Sequence, residues 1–377
     1  MSSHEHPSTL YDYATSAPQY LSEMAYQYYV GGARDEITLK ANRDAWDQLW
    51  LHYRVLVDVQ HRTAETTLFG QSVAAPILIA PTAFHGLAHP MGERATAEGA
   101  RRAQSIYVVS TLSNRSIEEI ASSGAPLWFQ LYVYRDRDLT LELIHRAEAA
   151  GCQALVITVD AAMIGTRERD RAHQFHLPDG LTLGNFRGSS RARLDHTGGD
   201  SALTQYVRDQ LDPSLTWRDL EWLIQRTHLP VLVKGIVRAD DALRALNAGA
   251  RGVVISNHGG RQLDTAPPTA LVLPQIAKAL NGQGLVLVDG GIRRGSDVLK
   301  ALALGARGVL VGRPILWGVA MRGAEGVDHV LNILRDELLE AMALCGCPDL
   351  ASITEDLITP NHPSPLTSSP HNSPKRG

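Results

Sequence analysis

The stretch 285–313, LVLVDGGIRRGSDVLKALALGARGVLVGR, reads as strand, helix, strand. It opens on the apolar run LVLV, breaks at Asp289-Gly290-Gly291, continues as the amphipathic GSDVLKALALGA and returns to the apolar GVLV. Runs that are apolar throughout, without alternation, are the mark of strands covered on both faces. Gly305-Ala306 supplies a helix C-cap just before the second strand. The unit recurs upstream. Strands are expected at 77–82, 107–111, 127–132, 154–160, 231–235, 252–258, 285–290 and 308–313, with helical patterns such as LTLELIHRAEAAG and ADDALRALNAGA between them. Eight such units predict an α/β fold, a (β/α)8 TIM barrel.

Three parts fall outside the repeat. Residues 11–65 carry a helical segment with Tyr26, Tyr28 and Tyr29 ahead of Gly31-Gly32. Residues 161–215 form a polar insertion after strand 4, and an insertion there sits over the barrel mouth as a lid. Residues 1–10 and the Pro/Ser-rich 360–377 are expected to be disordered, leaving one domain over 11–359.

Composition narrows the function. Of 377 residues, 44% are hydrophobic and 20% charged, which is globular. A formal charge of −4 gives no basic field for nucleic acid. Three cysteines argue against a disulfide framework and for a reducing compartment. No apolar run nears the roughly 18 residues that span a bilayer. The N-terminus lacks signal-peptide character, and Lys375-Arg376-Gly377 is no peroxisomal address, so a cytoplasmic protein is expected.

In this fold chemistry sits where strands end at the C-terminal face. Those ends are polar here: Pro81-Thr82, Ser110, Gln130 with Tyr132, Thr158 with Asp160, Lys234, Ser256 with His258, Asp289, and Gly312-Arg313. The loops after strands 7 and 8, with Gly290, Gly291, Arg293 and Arg313, occupy the fold's usual phosphate position. With no Walker loop and no GxGxxG after a strand, a mononucleotide phosphate fits best. In Ser256-Asn257-His258-Gly259-Gly260-Arg261-Gln262-Leu263-Asp264, His258 suits proton transfer and Arg261 suits a bidentate carboxylate contact. Together they suggest proton removal from a small carboxylic acid. Asp160 is placed to orient that imidazole, and Lys234 to lend positive charge to an electron-rich cofactor ring.

At these residues the chain resembles the FMN-dependent L-2-hydroxy acid oxidases and dehydrogenases, from about Tyr11 to about Ile358. SNHGGRQLD followed by VDGGIRRGSDVLKALALGA carries the resemblance, and YQYYVGGARDE, APTAFHGLAHP, FQLYVYRDR and ITVDAAMIGTRERD agree. The resemblance implies His258 as the residue that takes the substrate proton and Asp160 as its partner. It implies Arg261 and Arg167 as carboxylate clamps, with Tyr28 and Tyr132 hydrogen-bonding the substrate. Pro81, Thr82, Ala83, Ser110, Gln130, Thr158, Lys234 and Ser256 match flavin-ring positions. Asp289, Gly290, Gly291, Arg293, Gly312 and Arg313 match ribityl and phosphate positions. Leu112 stands where plant glycolate oxidases carry Trp, which implies a roomier or more apolar pocket; Phe84, Tyr206 and the lid are expected to shape it too. FHGLAH is nearer lactate oxidases, with His85 and His89 read equally as surface residues.

The expected reaction is oxidation of a small L-2-hydroxy acid, lactate- or glycolate-like, to the 2-oxo acid, with oxygen reduced to hydrogen peroxide. Oxygen is favoured because no haem domain precedes the barrel and the lid has no apolar membrane anchor. A quinone- or cytochrome-linked dehydrogenase and an oxidase of larger mandelate-type acids are the alternatives. A barrel dehydrogenase using a Cys nucleophile would need a cysteine at the mouth. Cys152 precedes strand 4 at the opposite face, and Cys345 and Cys347 lie near the C-terminus. No metal site is expected, and the family implies a homotetramer or octamer.

Overall fold

The computed structural model describes residues 7–188, 191, 193–194 and 201–360. Eight parallel strands close into one barrel in chain order: β1 (Ile77–Ile79), β2 (Tyr107–Ser110), β3 (Leu127–Leu131), β4 (Leu155–Thr158), β5 (Val231–Ile236), β6 (Gly252–Ile255), β7 (Leu285–Asp289) and β8 (Gly308–Val311). Closure is made by β8 on β1, with Val309, Leu310 and Val311 in register with Ile77, Leu78 and Ile79. Helices follow the strands, among them Glu93–Arg102, Arg137–Ala149, Ala239–Asn247, Thr269–Leu280 and Gly295–Ala303. The TIM barrel expected from the sequence is therefore the fold. Most strands stop sooner than expected, β1 at Ile79 and β6 at Ile255, because the residues beyond them turn into the mouth loops.

The apolar runs resolve into two faces. Leu78, Val108, Trp128, Val156, Leu232, Val254, Leu287 and Leu310 pack together as one cluster inside the barrel. Their neighbours Ile79, Val109, Phe129, Ile157, Val233, Ile255, Val288 and Val311 join the larger core under the helices. Side chains alternate with a period of two. Two residues beyond the inner layer, the same inward face therefore presents Ala80, Ser110, Gln130, Thr158, Lys234, Ser256, Asp289 and Gly312. That ring is the floor of the mouth. The opposite end is plugged by the hairpin Thr66–Leu68/Gln71–Val73, whose Phe69 ring lies 5.5 Å from that of Trp128.

Two boundaries differ from expectation. Thr9 caps the helix Leu10–Ser16, its hydroxyl accepting from Asp12 N at 3.1 Å while Asp12 accepts from Thr9 N at 2.8 Å, so the folded chain starts before residue 11. At the other end Ile358–Pro360 pairs antiparallel with Leu49–Leu51. The rest of the two expected disordered ends, 1–6 and 361–377, lies outside the described residues. Within 161–215 the chain forms the helix Glu168–Ala172, a 3-10 turn at Gly184–Phe186 and the helix Ala202–Gln210. Among the described residues, no helix is long and apolar enough to cross a membrane, and no group of His, Cys, Asp and Glu is placed to hold a metal.

Candidate active site

The mouth holds a cavity of about 1200 Å³ counting its open side, bounded by all eight strand ends and by Tyr28 and Tyr29 from the helix Glu23–Val30. Its floor carries two hydrogen-bond networks. Lys234 Nζ donates to Ser256 Oγ at 2.9 Å and lies 3.4 Å from Asp289 Oδ2, to which Ser256 Oγ also donates at 2.9 Å. Gln130 Nε2 donates to Thr158 Oγ1 at 3.1 Å, while its Oε1 accepts from Ser110 Oγ and Thr111 N. Asp289 Oδ1 is buried with no hydrogen-bond partner, an acceptor left open beside the cavity.

His258 sits just past β6 with φ 57, an uncommon conformation for a residue with a side chain. Backbone strain of this kind collects at functional sites. Its N–H donates to Ser256 Oγ at 3.1 Å, and its Nδ1 lies 3.0 Å from Asp160 Oδ1. Gly235 makes room for that carboxylate, since a Cβ there would stand 2.6 Å from Asp160 Cβ and Cγ. Burial lowers the His258 pKa below 6.5; Asp160 opposes the shift, and Lys234 and Arg167 reinforce it. Burial works to raise the Asp160 pKa, yet His258 and Lys234 outweigh it and hold the carboxyl below its ordinary range. The pair is thus a neutral imidazole against an ionised carboxylate at neutral pH.

Cations crowd the remaining wall. Arg261 Nη1 donates to the carbonyls of Tyr28 and Gly31 at 2.7 and 2.8 Å, and its guanidinium lies 4.8 Å from the Tyr28 ring centre. Arg167 is buried beside it; its Nη1 is 3.5 Å from Asp170 but makes no hydrogen bond. Tyr132 completes this end, its hydroxyl pKa raised by burial and by Asp160. Across the cavity, Arg313 donates to the carbonyls of Tyr29, Gly31 and Gly259. Arg293 lies 5.1 Å over the Trp317 ring, its pKa pushed down to about 10 by burial and by Arg43. Among the described residues no carboxylate pairs with either. Desolvated guanidiniums without a counter-charge are costly unless an anion arrives. Gly290 and Gly291 stand next to them with φ 96 and 85; a Cβ on Gly291 would meet the Asn42 carbonyl oxygen at 2.0 Å.

Most of the residues picked from sequence converge here. Tyr28, Tyr132, Arg167, His258, Arg261 and Leu112 line the cavity, as do Pro81, Thr82, Ala83, Ser110, Gln130, Thr158, Lys234, Asp289, Gly290, Gly291, Arg293, Gly312 and Arg313. Asp160 and Ser256 do not line the cavity themselves: Asp160 bonds His258, and Ser256, within the floor, bonds Lys234 and Asp289. Tyr206 does not reach the cavity: its hydroxyl turns to Tyr134 at 3.3 Å, because that face of its helix packs on the barrel. Phe84 is likewise withdrawn, packed on Tyr28 and Phe175. His85 is fully buried, not a surface residue. Leu203, Val207 and Leu211 supply an apolar wall instead, with Ile164. Their i, i+4, i+8 spacing was the signal that marks one helix face. Gln262 was also unassigned; its Nε2 donates to the Asp160 and Met163 carbonyls and its Oε1 accepts from Gly165 N, tying the segment after β4 to the loop that carries His258.

Residues 17–360 match the FMN-dependent dehydrogenase family. The chain belongs to that family. It is 50% identical to L-lactate oxidase of Nostoc sp. (strain PCC 7120) over 92% of this chain and 96% of that protein. It is 47% identical to glycolate oxidase 1 of Zea mays over 91% of this chain and 93% of that protein. Among solved structures, mandelate oxidase with (S)-4-hydroxymandelic acid superposes with a TM-score of 0.90 at 43% identity, covering 94% of this chain and 98% of that one. The cofactor is FMN, and the donor set suits it. The open acceptor of Asp289 fits ribityl hydroxyls, Arg293 and Arg313, which bond backbone carbonyls but no carboxylate among the described residues, fit a phosphate beside the two glycines, and the polar floor fits a flat heteroaromatic ring.

Proposed function

We propose that this flavoenzyme oxidises a small L-2-hydroxy acid with an apolar side chain, lactate-like, to the 2-oxo acid while reducing oxygen to hydrogen peroxide. The observation that carries this is the His258–Asp160 pair at 3.0 Å, facing a cavity that also holds Arg261, Arg167 and Tyr132. Arg261 and Arg167 hold the substrate carboxylate, and Tyr28 and Tyr132 hydrogen-bond it and its hydroxyl. With Nδ1 engaged by Asp160, His258 Nε2 takes the hydroxyl proton, and Asp160 stabilises the imidazolium that results. Bound FMN supplies the two-electron acceptor. Lys234 holds positive charge under that site, and the helix Ala202–Gln210 closes over it to exclude water. Overall, hydroxy acid and oxygen give 2-oxo acid and peroxide, with two electrons and two protons leaving the substrate.

Leu112, Ile164, Leu203 and Val207 set the side-chain preference, and the same apolar wall supports a second reading in which mandelate-type acids are turned over. Turnover of a panel of L-2-hydroxy acids in air, with no added acceptor, tests both points. One peroxide per 2-oxo acid is expected; turnover only with an added dye or quinone would mean a dehydrogenase. We also infer a homo-oligomer, tetramer or octamer, because Tyr53, Val55, Leu56 and Leu344 form an exposed apolar patch where Arg54 N meets the Cys345 carbonyl. Light scattering on the purified protein reads it. Three free, buried cysteines support a cytoplasmic location.

A further inference from the structure

His85 is a fully buried histidine that the reaction above does not use. It opens a 3-10 turn (His85–Leu87) directly behind the cavity wall made by Pro81, Thr82 and Ala83. The turn cannot shift easily. His85 N donates to Glu93 Oε1 at 3.1 Å, the same carboxylate accepts from Asn114 N at 2.9 Å, and Gly86 N donates to Asn114 Oδ1 at 3.0 Å. The imidazole is held at both nitrogens: Nε2 lies 2.6 Å from Thr82 Oγ1 and Nδ1 lies 2.7 Å from Thr96 Oγ1. Burial pushes its pKa down to about 3, so the ring is neutral throughout the working range.

A neutral imidazole donates from one nitrogen and accepts at the other. Its bond to Thr82 therefore has one direction, set by the bond to Thr96. Thr82 lines the FMN cavity, and this bond decides what its hydroxyl has left to offer: an acceptor oxygen if the ring accepts the Thr82 proton, a free donor proton if the ring donates.

We propose that His85 is a positioning residue of the flavin site, which fixes the Thr82 hydroxyl against the bound FMN through the Thr96–His85–Thr82 chain. It rests on FMN binding at this mouth and not on the identity of the hydroxy acid.

The test reads the flavin itself. In His85→Leu, FMN remains bound, but its visible spectrum and its midpoint potential, measured with a chemical reductant, move away from wild type. Flavin reduction by substrate slows roughly tenfold, the scale of one neutral hydrogen bond lost at a reacting geometry, with KM unchanged. Thr82→Val reproduces the shift, and the double variant is no worse than Thr82→Val alone, because both act through one bond. His85→Gln, which keeps a side-chain amide within reach, restores part of the wild-type spectrum. If His85→Leu does not fold, the comparison of Thr82→Val with His85→Gln still decides. A wild-type spectrum and potential in His85→Leu or in Thr82→Val, or additive effects in the double variant, would overturn the proposal. Because the potential needs no substrate, failure of the hydroxy acid reading shows separately.

Discussion

His258 Nδ1 and Asp160 Oδ1 stand 3.0 Å apart although they follow β6 and β4, with β5 between them. Gly235 on β5 lets them meet by leaving empty the space a side chain would fill. His258→Ala should slow anaerobic flavin reduction roughly 10²- to 10⁴-fold while FMN stays bound, which stopped-flow spectra measure directly. Asp160→Asn should also slow it, since the imidazolium loses its counter-charge.

The pH profile follows from the same pair. The His258 pKa is lowered below 6.5 by burial, so the base form is present above that pKa and lost as pH falls through it. The kcat/KM of the free enzyme should rise through an acid limb with its midpoint below 6.5. Asp160 raises the His258 pKa and Lys234 lowers it. Asp160→Asn should therefore move the limb to lower pH, and Lys234→Met to higher pH.

Arg167 is buried, and its Nη1 makes no hydrogen bond. In the proposed reaction a substrate carboxylate gives it one. Arg167→Met should raise KM for the hydroxy acid roughly 10- to 100-fold, the worth of a charge-assisted hydrogen bond, with FMN content unchanged. Steady-state kinetics and the flavin-to-protein absorbance ratio check both halves.

Side-chain preference should move with the apolar wall. Leu112→Trp fills space at the cavity edge, so bulky hydroxy acids should lose roughly 10- to 200-fold in kcat/KM relative to a lactate-sized one. Competition assays between a small and an aromatic substrate read that ratio.

Stability and function should separate between Trp128 and Gly291. Trp128 belongs to the inner barrel layer, below the polar floor. Trp128→Ala should cost roughly 3–5 kcal/mol in unfolding while KM stays unchanged. Gly291→Ala places a Cβ 2.0 Å from the Asn42 carbonyl at φ 85. It should cost roughly 2–5 kcal/mol and also weaken FMN retention, because the same loop borders Arg293. Denaturant titration with flavin release followed in parallel tests the pair.

The eight strands were legible because each is an unbroken apolar run, and the polar residue closing most runs marked the mouth. Which residues face inward was not, since a strand apolar on both faces hides its period of two; only the closed barrel puts Lys234, Ser256 and Asp289 on one floor. His258, Arg261 and the two glycines were legible from type and spacing. Tyr206 was not, because an aromatic near a mouth reads as lining until the packing shows its helix turned, with Leu203 and Val207 toward the cavity. His85 reads equally as a motif residue and a surface residue, because its burial comes from a turn clamped by Glu93 and Asn114, which lie farther along the chain.

The most direct measurement is the visible spectrum of the purified protein, recorded anaerobically as L-lactate is added and again after air is admitted. The expected result is bleaching of bound FMN on addition, return of the oxidised spectrum in air, and formation of one peroxide per pyruvate. A bound flavin that no L-2-hydroxy acid bleaches, or one that stays bleached in air, would contradict the oxidase proposed here.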